Sequence, residues 1–251
     1  MIELKNEQEL KRMRQAARVV AGLLKQVSAM VRPGIKTKAL DEAAIAYIHG
    51  QGAKPAFLGY RGYPASICVS INEEVVHGIP GERRIRSGDV VSIDAGAVVE
   101  GFYGDAALTL ALGEISSQAQ ALIQTTQQAL TQGIAQAVVG NRISDISHAI
   151  QRHVEQQGFG VVREFVGHGI GRALHEEPPV PNFGDPHLGP RLQVGMVLAI
   201  EPMVTLGDYR VQVLADGWTA VTKDRSLAAH FEHTIAITEQ GPEILTLCED
   251  K

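Results

Sequence analysis

The chain has 251 residues, 45% apolar and 20% charged, with a net charge of −5. That length carries a large buried core, and the absence of a basic stripe argues against a nucleic-acid or anionic-membrane partner. Two distant cysteines, Cys68 and Cys248, make no disulfide framework; the charged opening "MIELKNEQELKRMRQ" does not read as a signal peptide; no apolar run approaches the roughly 20 residues that span a bilayer. A cytoplasmic protein is expected.

Asn6 followed by Glu9 carries a capping-box signature, so a first helix is predicted near 6–31, stopped by "RPG" at 32–34. A second helix follows Thr37 and stops near Gly50, and strands run through "SICVSI" (66–71), "VVHGIPG", "GDVVSIDAG" and "GFYGDAALTLAL". The second half repeats that order. A helix is predicted near 117–138, with a Gln-rich solvated face opposite Leu122, Ala129, Leu130 and Ile134, ending at "GN" (140–141). Another helix follows Ser144 and stops near Gly158; then come "GVVREF" as a strand, "VGHGIG", "GMVLAIEPM" and "FEHTIAIT". "GDVVSIDAG" and "GMVLAIEPM" share Gly, Val and Ile at the same offsets, and Asp94 in one corresponds to Glu201 in the other. The chain therefore predicts a pseudo-twofold duplication within a single catalytic domain, with halves of about 1–112 and 113–251, that sets two acid-bearing strands side by side.

Each half supplies a His-Gly-Ile turn and two acidic strands: His77, Asp94 and Asp105 in the first, His168, Glu201 and Glu232 in the second. Strand alternation puts Val90, Ser92 and Asp94 on one face, Asp105 with the small Ala107 and Thr109, and Glu232 with Thr234 and Ala236. Taken singly, a strand Asp reads as an edge charge and a Gly-flanked His as a loop residue. Four carboxylates on otherwise apolar strands are another matter, because they cannot be buried together as bare charges. They call for cations, and an oxygen-rich set with one or two imidazoles suits a pair of divalent transition metals better than a structural zinc. Two such ions about 3.5–4 Å apart bridge a water and lower its pKa from near 16 toward about 7, which predicts hydrolysis.

The segments "SINEEVVHGIPG", "SIDAGAVVEGFYGD", "EFVGHGIGRALHEEPPVPNFG", "AIEPM" and "DGWTAVTKDRSLAAHFEHTIAIT" together resemble a type I methionine aminopeptidase over essentially the whole chain. The resemblance implies the α+β pita-bread fold, a curved, mainly antiparallel sheet covered by helices, with the site in the concave centre of two related halves. It implies removal of N-terminal methionine ahead of a small second residue, from nascent polypeptides at the ribosome exit; the oligomeric state is left open, with a monomer as the default expectation. It also implies two divalent metal ions, drawn from Co, Mn, Fe or Zn, with Asp94 on one metal, Asp105 and Glu232 bridging, and His168 and Glu201 completing the other. Glu201 becomes the general base for the bridging water. His77 contacts the scissile nitrogen and His175, in "LHEEP", faces the carbonyl. Tyr60, Tyr63, Cys68, Leu174 and Trp218 fall at positions of the methionine pocket. Leu174 stands where the family commonly has Phe, Phe57 where many members have Cys, and His230 where Gln is usual; the first two changes offset each other in volume, and His230 is expected on the same side as Glu232 if its strand is regular. His233 is expected to point to the opposite face.

Three rivals fit less well. Xaa-Pro aminopeptidases and prolidases share fold and ligands but usually carry a large N-terminal domain, for which this chain has no room. A non-cleaving binding module of the same fold typically loses ligands. A type II enzyme needs a helical insertion that the interval from His168 to Glu201 does not hold.

Overall fold

Asn6 starts the first helix as its sequence predicts: its side chain accepts the Glu9 N–H at 3.0 Å, and the Glu9 carboxylate accepts the Asn6 N–H at 3.1 Å. The computed structural model describes residues 1–247; Cys248 lies outside the described residues, and Cys68 is a buried free thiol. Helix α1 (Glu7–Met30) buries Met13, Val20, Leu23 and Val27 along one stripe, and α2 (Thr37–Gly50) buries Leu40, Ala44 and Ile48. The strands of the first half are β1 (Lys54–Pro55), β2 (Ile67–Ile71), β3 (Glu74–Val76), β4 (Val90–Val99) and β5 (Phe102–Ala111). Helices α3 (Ser117–Ala135) and α4 (Ile143–Gln156) open the second half. They lead to β6 (Gly160–Val161), β7 (Gly167–Gly169), β8 (Glu176–Val180), β9 (Val197–Ile200) and β10 (Met203–Thr205). Then follow β11 (Val211–Val213), β12 (Ala220–Thr222), β13 (Ala228–His230), β14 (Glu232–Thr238) and β15 (Gly241–Ile244).

The main sheet runs β1-β4-β5-β14-β9-β7-β8, antiparallel throughout, with β2 also on β4 and β15 also on β14. Two short sheets, β13-β10-β6 and β11-β12-β3, complete the fold. This is the curved, mainly antiparallel α+β architecture the sequence predicts. The duplication shows in details no residue identity reveals. The residue before α2 bridges a downstream segment as Lys36↔Arg84, and the residue before α4 does the same as Arg142↔Arg191. Each bridge is followed by a left-handed glycine just before the acid-bearing strand, Gly88 (φ 91°) and Gly195 (φ 90°). Each half has its own apolar core, one around Val20, Leu40 and Ile93, the other around Leu122, Ile146 and Leu198. The halves join where β5 meets β14, with Ala107 opposite Glu232. Gly104 lets α1 lie on that seam, since a Cβ there would stand 2.8 Å from the Ala17 backbone nitrogen.

Four local expectations change. "GVVREF" is a strand only over Gly160–Val161, because Arg163 and Glu164 turn out to solvent. "GMVLAIEPM" divides into β9 and β10 at Glu201–Pro202, where proline has no N–H to give a ladder. "AAHFEHT" likewise divides at Phe231 between two sheets, so His230 and Glu232 do not lie on one regular strand. Helix α3 ends at Ala135, three residues early, and α4 begins at Ile143, where the Asp145 carboxylate accepts the Arg142 N–H at 2.7 Å.

Candidate metal and active site

Two neighbouring rows across the main sheet bring the acids together. In one row Cys68 pairs with Asp94, Asp94 with Ala107, and Ala107 with Glu232; the His233↔Ile200 pair then sets Glu232 beside Glu201. In the next row Gly96 pairs with Asp105, the Asp105 N–H donates to the Thr234 hydroxyl at 3.1 Å, Thr234 pairs with Ala199, and Ala199 with His168. Acid and imidazole thus alternate with small residues, which leaves space above the sheet between side chains whose Cβ atoms are about 5 Å apart. One ligating atom each from Asp105, His168 and Glu232 lies within 4.8 Å of the others. His168 Nε2 is 3.5 Å from Glu201 Oε1.

The electrostatics of this floor are unfavourable to bare carboxylates. Burial pushes Asp94 up to about 7. Burial, reinforced by the neighbouring charges, holds Asp105, Glu201 and Glu232 well above the usual carboxylate range. Burial holds His168 down to about 3 and His77 to about 4. Asp94 Oδ1, Asp105 Oδ1 and Glu232 Oε1 are buried without a hydrogen-bond partner. His168 Nδ1 donates to the Gly169 carbonyl at 2.9 Å, so its Nε2 presents a lone pair to the carboxylates. Orphaned oxygens plus one neutral imidazole nitrogen fit a divalent cation.

Above the acids lies a cavity of about 280 Å³ with apolar walls. Tyr63, Cys68, Leu174 and Phe57 are buried in its wall, and Gly96 makes room for Phe57, whose ring would be 2.7 Å from a Cβ there. Trp218 meets Tyr63 edge-on at 5.1 Å, and the Asp216 carboxylate accepts the Trp218 backbone N–H at 2.8 Å. Tyr63 donates to the Ile67 and Gly78 carbonyls, and its hydroxyl stays protonated because burial pushes it up. His77 sits at the cavity with φ 62°, a conformation rare outside glycine and held here by the turn that brings Gly78 against β2. His175 lies at the exposed rim, its Nδ1 sharing a 2.7 Å hydrogen bond with the Tyr60 hydroxyl and its ring 4.2 Å from that of His168. Burial, then the charge of Arg61, lowers His175 below an ordinary histidine.

The structure therefore brings Asp94, Asp105, His168, Glu201, Glu232, His77, His175, Tyr60, Tyr63, Cys68, Leu174 and Trp218 to one cavity. His233 points away, hydrogen-bonded to the Thr246 hydroxyl at 2.9 Å. Two further wall residues are absent from the set the sequence suggests. Phe165 meets His77 edge-on at 5.3 Å, and its place three residues before His168 is a usable signal. Arg61 gives none: it reaches the mouth from a left-handed turn residue, φ 49°.

The family model for metallopeptidase family M24 matches residues 11–239. A methionine aminopeptidase of Clostridium acetobutylicum is 53% identical over 250 residues, covering 99% of this chain and 100% of that protein. The crystal structure of methionine aminopeptidase from Thermotoga maritima superposes with a TM-score of 0.97 at 48% identity, covering 99% and 100% of the two chains. The prolidase of Pyrococcus furiosus, at 20% identity and a TM-score of 0.81, shares the fold alone, and this chain covers 66% of it. These likenesses, with the buried Asp105, His168 and Glu232 group that could hold a metal ion, support use of a divalent metal. The chain belongs to metallopeptidase family M24, in its type I methionine aminopeptidase branch.

Proposed function

We propose that this chain removes the N-terminal methionine from peptides and nascent proteins whose second residue is small, working as a monomer in the cytoplasm with residues 1–251 acting as one catalytic unit. One observation carries the reading: an apolar slot closes directly onto a floor of partnerless buried carboxylates and a neutral imidazole. Asp94, Asp105, His168, Glu201 and Glu232 would hold two divalent ions. When bound, these supply a hydroxide at neutral pH and polarise the scissile carbonyl. The chain's own groups do the rest. Tyr63, Cys68, Phe57, Leu174 and Trp218 enclose an unbranched thioether. Glu201 accepts the proton of the attacking water and passes it toward the leaving amine. With the Tyr60 hydroxyl donating to Nδ1, His175 carries its proton on Nε2 and donates it as a hydrogen bond to the carbonyl oxygen. His77, neutral at working pH, contacts the scissile nitrogen. No helix of the described residues is long and apolar enough to cross a membrane.

The test is to strip the protein of metal, restore Mn(II), Fe(II), Co(II) or Zn(II) in turn, and offer Met-Ala-Ser and Ala-Pro-Gly. Metal-dependent release of free methionine alone supports the proposal. Cleavage before proline moves the protein to the Xaa-Pro branch, and no cleavage by a folded, metal-loaded protein refutes both.

A further inference from the structure

Glu201 is bracketed by two imidazoles. His168 Nε2 stands 3.5 Å from Oε1, and His230 Nε2 stands 3.9 Å from Oε2. Only one of the two can donate. The Gly169 carbonyl can only accept, so the His168 proton is on Nδ1 and its Nε2 offers a lone pair. His230 is 2% exposed, and its Nε2 is buried without any hydrogen-bond partner. A native core rarely leaves such an atom idle. The backbone around it is fixed, since the Thr109 hydroxyl bonds both its N–H, at 2.9 Å, and its carbonyl, at 2.7 Å, and Thr109 itself is held by Ser92 at 2.8 Å. The ring is therefore aimed at Glu201 by three elements, β4, β5 and β13. It stays outside the compact group formed by Asp105, His168 and Glu232, so it is not placed as a further ligand.

We infer that His230 is a positioning residue: its Nε2–H holds Oε2 of Glu201 and thereby orients the carboxylate whose other oxygen faces the metal floor. The gap is about an ångström longer than a good N–H···O bond, a distance that rotation of the carboxyl about its Cγ–Cδ bond covers. Two opposed roles for two histidines follow. His168 offers an electron pair to a cation; His230 offers a proton to the carboxylate that shares that cation. Partners of this kind typically change metal affinity by about 10- to 100-fold when removed. The inference rests on the proposal that Glu201 is a metal ligand.

The experiment compares wild type, His230→Gln, which keeps an N–H donor, and His230→Leu, which keeps volume but has none. Co(II) is titrated into each metal-free protein by calorimetry while the visible Co(II) absorption is recorded. The expected result is that His230→Leu binds its tighter Co(II) about 10- to 100-fold more weakly with an altered visible band, while His230→Gln stays within about threefold of wild type. The metal-free melting temperature of each variant is measured alongside, so that a loss of metal affinity is separated from a loss of folding. Wild-type affinity and spectrum in His230→Leu overturn the inference, as does equal loss in both variants. Should His230→Leu fail to fold, His230→Met, which also lacks the donor, carries the comparison. A wild-type protein that takes up no Co(II) overturns instead the proposal that the acids hold metal.

Discussion

Replacing Asp94 by asparagine should stabilise the metal-free protein while abolishing its activity. Burial lifts the Asp94 carboxyl from 3.8 to about 7. A carboxyl with a raised folded-state pKa destabilises the fold when ionised: the penalty is absent below about pH 4, grows as pH rises, and is complete above about pH 7. At about 1.4 kcal/mol for each tenfold change in proton affinity, that rise sets an upper limit of about 4 kcal/mol. Asp94 is only half-buried at the floor of an open cavity, and solvent screening brings this to roughly 2 kcal/mol. For a chain of this length that is a rise of about 4–8 °C in Tm. Scanning calorimetry in EDTA near pH 7.5 should show Asp94→Asn melting above wild type, with the gap closing as pH is lowered toward about 4. Added Mn(II) should reverse the order, because only wild type gains the full binding energy. A metal-free variant that melts below wild type near pH 7.5, or a gap indifferent to pH, refutes the burial argument.

Contacts around the site set three more outcomes. The Lys5 side chain, 2% exposed, donates to Glu176 at 2.6 Å, and the other Glu176 oxygen accepts the Arg172 and Ala173 N–H groups in the loop that carries His175. Lys5→Met takes the cation from that carboxylate and should cost about 3–5 kcal/mol in urea unfolding, with kcat reduced at permissive temperature. Gly104→Ala pushes a methyl against the α1 backbone at Ala17 and should destabilise by about 1–3 kcal/mol in the same assay. Tyr60→Phe removes the 2.7 Å bond to His175 and should lower kcat about tenfold with little change in Tm.

The order of elements, and the gathering of Asp94, Asp105, His168, Glu201 and Glu232, are legible in the sequence because they rest on local chemistry. The Asn6–Glu9 cap, the glycines before β4 and β9 and the two-residue alternation are all written in short windows. What is not legible depends on tertiary contact. Proline at 202 and the break at Phe231 show that "AIEPM" and "AAHFEHT" each serve two sheets, which no window of alternating residues reveals. A regular strand would set His230 beside Glu232; it instead reaches Glu201 from a separate sheet. Lys5 reads as an exposed charge at the start of the chain, and its burial depends on Glu176, 171 positions away. The exchange of sizes at Phe57 and Leu174 makes sense only in three dimensions: both side chains are buried in one wall, and Gly96 is the neighbour that admits the larger ring.

The seam between β5 and β14 has a consequence for the protein's own synthesis. Asp94 and Asp105 are translated early, whereas Glu232 arrives with the last long strand of the main sheet. At about 5–20 residues per second, the ribosome takes on the order of ten seconds to travel from one to the other. Throughout that interval the β5 edge has no partner and the acids have no floor to share, so the half-made chain exposes a strand edge open to wrong pairing. A catalyst proposed to trim newborn proteins thus lacks its full set of acids while it is itself newborn, until β14 joins the sheet.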